Sequence, residues 1–160
     1  SLLAKVMFSL AIACVFSCNK ATNLYKAEGQ WLVEEIVLYD EVTITGQMVS
    51  RYVNQGHLTF EENNTGFYEY PGYPRVNFNW GYRKDDNGSD LLVFEDFDSI
   101  SRNQLKLPLI SLWHDIQVPN TDRGYRTFSF ISNTEDFIRL GHYDHTRNEM
   151  TISIILTKRE

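Results

Sequence analysis

Two histidines three residues apart, His142 and His145, with Asp144 between them, come nearest in this chain to a metal-binding pattern. Imidazole nitrogens and carboxylate oxygens are ordinary ligands of a divalent metal, and a stable site needs about four of them. His57, His114 and Asp115 would have to converge on the pair from distant positions. Nothing local fixes that geometry, so the segment 142–148 reads as a hydrated loop between two strands. His114 and Asp115, beside Trp113, have the composition of an acid–base pair. Neighbouring side chains on an extended segment diverge, however. No serine sits in a Gly-x-Ser-x-Gly elbow, and no glycine pattern suits a nucleotide phosphate. Asp86-Asn87-Gly88 lacks the ligand spacing and terminal Glu of a calcium loop. The expectation is a protein without catalysis, metal or cofactor.

Aromatic side chains are a different matter. They make up 14% of the chain and recur singly along strand-like runs. Trp31, Phe78, Trp80, Tyr82 and Phe128 are candidates for lining an apolar cavity that takes a small hydrophobic ligand. The alternative is that they fill a solid core, as in small barrels. Glu35 shares alternate positions with Trp31 and Val33. Unpaired acids are rarely buried, so a bend or bulge between Val33 and Ile36 is expected to leave Glu35 outside.

Period-2 alternation dominates from Gly29 onward, and it predicts the elements that must position these rings. The run 29–39 is the first strand. Leu58 and Phe60 share a face before the turn signal Asn63-Asn64-Thr65-Gly66, and Phe67-Tyr68-Glu69-Tyr70 returns. After the break Pro71-Gly72-Tyr73-Pro74, Val76, Phe78, Trp80 and Tyr82 point one way, and Asn77, Asn79 and Arg83 the other. Asp85-Asp86-Asn87-Gly88 is a hairpin turn leading into Leu91-Leu92-Val93-Phe94. Leu105, Leu107 and Leu109 alternate with Gln104, Lys106 and Pro108, which predicts an edge or interrupted strand. A long loop is expected over 113–124. Strands follow at 126–130 and 150–156, with a short strand or helical turn at 137–140. About eight short strands joined by hairpins argue an all-β antiparallel meander. Closing it into a barrel removes the exposed edges.

The 160 residues suit one domain. A net charge of −6 argues against nucleic acid, because no basic patch is present to release counterions. Lys5 precedes an apolar stretch over 6–15 that is shorter than the ~20 residues of a spanning helix; it reads as the core of a signal peptide. Val15-Phe16-Ser17-Cys18 resembles the bacterial lipobox, with Phe16 where a smaller residue is usual. That resemblance implies a signal peptide over 1–17, acyl chains such as palmitate on Cys18 and a lipidated tether over 18–28. Cys14 would leave with the signal, so no disulfide or thiol chemistry remains. No acidic cluster follows Cys18, which points to the periplasmic face of an outer membrane.

Gly29-x-Trp31 opens the first strand, Leu58-Thr59-Phe60 precedes a turn ending in Gly66, and Phe78-x-Trp80 lies in a later strand. Together with the lipobox these resemble the bacterial lipocalin-like lipoproteins over residues 29–160. The resemblance implies a β-barrel of about eight strands, with Trp31 packed across a closed end and a basic residue covering it; Arg159 is the candidate. Thr121-Asp122 is followed by Arg123 where the lipocalin pattern has an aromatic residue. The function implied is non-catalytic binding of a small apolar ligand by a membrane-anchored barrel. The alternative is a filled barrel that binds a protein or glycan through the aromatic loops 70–73 and 113–125.

Overall fold

Eight strand positions close into a ring in which every neighbouring pair is antiparallel. The computed structural model describes residues 26–39, 48–114, 127–144 and 149–159. The strands are β1 (Gly29–Tyr39), β2 (Met48–Val53), β3 (His57–Phe60), β4 (Thr65–Glu69), β5 (Val76–Lys84), β6 (Asp90–Glu95), β7 (Thr127–Asn133), β8 (Phe137–Asp144) and β9 (Glu149–Lys158). β3 to β9 follow one another around the wall, and β9 pairs back onto β1 from Trp31 to Leu38. The meander is therefore a closed barrel.

The ninth strand has a simple origin. β9 occupies one edge of β1, so β2 and β3 must both lie along the other, β3 on Gly29 to Leu32 and β2 on Glu35 to Tyr39. They form one wall position interrupted at 54–56, where Asn54 and Gly56 take left-handed φ of 52° and 86°. A Cβ on Gly56 would lie 2.3 Å from the Glu69 carbonyl oxygen, so that corner needs glycine. The run 48–53 is missing from the sequence expectation because Ser50 and Arg51 interrupt its apolar pattern. Pairing to β1 makes it a strand.

β1 carries the expected irregularity. Its register with β9 shifts between Val33 and Glu35. Trp31, Val33 and Ile36 are consequently all fully buried, while Glu35 pairs with Arg51 at 2.5 Å on the outer surface. One extra residue in one strand flips the facing of those that follow. β5 shows the cleanest alternation: Val76, Phe78 and Trp80 are buried, and Asn77 and Asn79 are exposed.

Two expectations need correction. The segment with Leu105, Leu107 and Leu109 is no strand. It forms a 3₁₀ turn over Gln104–Lys106 and then helix α1 (Pro108–Trp113). Pro108 sits in the first turn, where a missing N–H costs nothing and its fixed φ suits a helix. Leu109, Ile110 and Trp113 then fall on one buried face at helical spacing. Second, His142 and Asp144 belong to β8 rather than to a loop, paired with Ile152 and Glu149. Residues 115–126 and 145–148, with Asp115, Asp122, Arg123 and His145, lie outside the described residues, as does Cys18.

Candidate functional site

The barrel has two unlike ends. At the first, Ala27 is fully buried just ahead of β1. Its carbonyl accepts the indole N–H of Trp31 at 2.7 Å, and its amide donates to the Tyr82 hydroxyl at 2.6 Å. The chain entering β1 thus crosses and seals this end. Trp31 is covered by Lys158, whose ammonium lies 5.5 Å from the ring centroid. The basic residue over the indole is therefore Lys158 and not Arg159, whose amide donates to the Gln30 carbonyl at 3.1 Å. A cation over an indole face is favoured by the ring quadrupole. Tyr82 is 39% exposed at this end, so it closes the barrel rather than lining its interior. Burial raises its pKa first, and the neighbouring Glu28 and Asp90 carboxylates raise it further against the lowering effect of the Ala27 amide.

The other sequence-derived lining residues meet inside. Phe60 touches Phe78, Trp80 and Phe94 with ring centroids 6.0, 5.2 and 5.8 Å apart. Phe78 and Phe94 meet at 5.2 Å, and Phe128 reaches Phe94 at 6.0 Å. Phe78, Trp80 and Phe128 therefore belong to one aromatic cluster, while Trp31 lies in the same core at the sealed end. Trp80 is fixed by its indole N–H, which donates to the carbonyls of Thr65 at 2.8 Å and Glu61 at 3.2 Å. Gly66, directly across from Phe78, lets that ring approach the β4 backbone closely.

The second end carries α1. Trp113 is fully buried and packs into a cage of four rings. It stacks on Phe97 at 4.7 Å and 29°, lies tilted on Phe94 at 5.1 Å, and meets Phe78 and Tyr68 edge-on at 5.4 and 5.8 Å. The approach to α1 is held by Gln104, which is 3% exposed. Its side chain accepts from the Ser101 amide at 2.7 Å and donates to the Pro74 carbonyl at 2.9 Å. Trp113 was expected at the start of the loop 113–124, exposed to a partner; instead it ends α1 and is buried, because the helix turns it into the barrel. Phe94, Phe97 and Tyr68 are site residues that sequence reasoning missed. A helical reading of Pro108-Leu109-Ile110-x-x-Trp113 was the available signal. Tyr68 donates to the Gln55 carbonyl, and burial, then nearby Tyr70, pushes its pKa far above the usual tyrosine range.

Among the described residues no cluster of three or more His, Cys, Asp or Glu side chains is arranged to hold a metal ion. His142 faces Thr127, with Nδ1 3.1 Å from its carbonyl oxygen, and packs on Phe128 at 6.2 Å. Phe128 and His142 are thus neighbours at the helix end.

A closed antiparallel barrel with Trp31 across its sealed end agrees with the fold that the lipocalin-like resemblance implies. No family model matches this chain, and no curated protein does. Among solved structures it is similar to an uncharacterized protein from Bacteroides eggerthii, with a TM-score of 0.49 and 16% identity over 84% of this chain and 100% of that one. It is also similar to a lipocalin-like protein from Bacteroides uniformis, with a TM-score of 0.42 and 13% identity over 82% of this chain and 97% of that one.

Proposed function

We propose that this chain is a non-catalytic binding protein of the bacterial cell envelope, anchored by acyl chains on Cys18 to the periplasmic face of the outer membrane. On this reading it holds one small apolar ligand inside its barrel at the end that carries α1. The observation behind it is the asymmetry of the two ends. One is sealed by backbone and side-chain hydrogen bonds through Ala27. The other is filled by a six-residue helix whose N-cap residue, Leu107, makes no side-chain cap bond. Apolar rings give such a site affinity through desolvation and shape, without chemistry.

A second reading has its own support. The unbroken chain of ring contacts from Phe60 to Trp113 describes a filled barrel. Tyr70 and Tyr73, 5.7 Å apart beside the Pro71-Gly72 turn, would then meet a protein or glycan partner at the same end. Titration of the full chain with the apolar fluorophore N-phenylnaphthylamine separates the two. Saturable one-to-one binding supports the ligand reading, and absence of saturable binding favours the interaction module. Radiolabelled palmitate incorporation that survives Cys18→Ala contradicts the anchor.

A further inference from the structure

Trp113 differs from the other two tryptophans of the chain. Trp31 and Trp80 both donate their indole N–H to backbone carbonyls. The Trp113 N–H is buried and has no acceptor among the described residues. A buried donor without an acceptor disfavours the docked arrangement that buries it. The helix that presents it is also weak by itself. Six residues fall well below the ~12–15 at which an isolated helix becomes even marginal in water. α1 is therefore helical only because Leu109, Ile110 and Trp113 are packed inside the barrel. Gln104 pins the preceding turn to the Pro74 carbonyl, independently of α1.

What the cage recognises can be read from what occupies it. Phe97 stacks on the indole, Phe94 lies tilted against it, and Phe78 and Tyr68 meet it at steep angles. One stacked, one tilted and two steeply inclined rings around a flat bicycle form a slot for a planar aromatic molecule, since offset stacking and edge-to-face contacts are the favoured ring geometries. We propose that Trp113 is a built-in surrogate ligand: the ring cage of Tyr68, Phe78, Phe94 and Phe97 is a binding site for planar aromatic molecules, which α1 occupies until such a molecule displaces it. This rests on the ligand-binding reading above and names its ligand class and its gate. Release of Trp113 lets its N–H reach water, which offsets part of the cost of undocking. The tethered indole competes at high effective concentration, so ligands must be larger or better stacked than indole to open the intact protein.

Two measurements on the full chain test this. Trp113→Ala should bind free indole at least about ten-fold more tightly than the wild type does, as expected for a vacated apolar slot. In wild-type protein labelled with fluorotryptophan, N-phenylnaphthylamine should move the Trp113 fluorine resonance to the solvent-exposed position and leave those of Trp31 and Trp80 in place. Trp113→Phe, which keeps a ring in the cage, assigns the resonance. Equal indole affinity in Trp113→Ala and wild type overturns the proposal. So does an unmoved Trp113 resonance at saturating fluorophore, an outcome that leaves ligand binding elsewhere in the barrel intact. If Trp113→Ala does not fold, the wild-type resonance alone decides.

Discussion

Trp31 donates its indole N–H to the carbonyl of Ala27, four residues earlier, at 2.7 Å. This bond links the first inward-facing ring of β1 to the segment that precedes the barrel. Trp31→Phe keeps a ring in place but leaves the buried Ala27 carbonyl unpaired. Such an orphan costs about 1–3 kcal/mol, to be read from the midpoint of urea unfolding. Tyr82→Phe removes the acceptor of the Ala27 amide and should fall in the same range. If both substitutions are neutral, the end closed by Ala27 is not sealed as described.

Gly66 is fixed by its neighbours across the sheet. A Cβ there would stand 2.6 Å from both the Phe78 ring and the Thr59 carbonyl oxygen. The ring can shift, but the ladder carbonyl cannot. Gly66→Ala should therefore destabilise by about 1–3 kcal/mol or more. Adding Phe78→Leu should recover only part of the strain, since the clash with Thr59 remains. Full recovery in the double variant would contradict this geometry.

Glu35 and Arg51 pair on the outer wall, with 19% and 57% of their side-chain surfaces exposed. A surface pair of this kind contributes about 0–1 kcal/mol and weakens with salt. Glu35→Gln should therefore change unfolding free energy by less than about 1 kcal/mol and leave binding of N-phenylnaphthylamine unchanged. A large loss of binding would return Glu35 to the interior.

Burial holds the Tyr68 hydroxyl protonated well above the usual tyrosine range. The folded protein thus binds this proton more tightly than the unfolded chain does. The corresponding stability is complete below the unfolded pKa of about 10 and declines as pH rises beyond it. Wild-type unfolding free energy should fall steeply above that pH, and Tyr68→Phe should flatten the fall. The variant itself should be less stable by about 1 kcal/mol at neutral pH, because its bond to the Gln55 carbonyl is gone. An unchanged alkaline slope would remove Tyr68 as its source.

The wall of the barrel was legible because its signals are local. Val76, Phe78 and Trp80 alternate without interruption, Asp85-Asp86-Asn87-Gly88 turns the chain, and the acid at Glu35 betrayed the bulge beside it. The plug was not legible. Leu105, Leu107 and Leu109 mimic a strand period, and six helical residues are too few for a 3.6-residue period to declare itself against it. β2 was hidden for a related reason. Ser50 and Arg51 interrupt its pattern, and only the long-range partner Glu35 to Tyr39 makes it a strand. Of the five lining candidates, Trp31, Phe78, Trp80 and Phe128 are buried in the core. Tyr82 stands at the rim because β5 runs past the closed end there, a length that alternation alone does not reveal.

Native mass spectrometry of the protein isolated from its own cells tests the central claim most directly. One non-covalent apolar molecule per chain is expected, in addition to the acyl chains proposed on Cys18, and it should be released when the barrel is unfolded. A mass accounted for by polypeptide and acyl chains alone, with no saturable uptake of N-phenylnaphthylamine afterwards, would contradict it and leave the filled barrel with binding loops as the reading that stands.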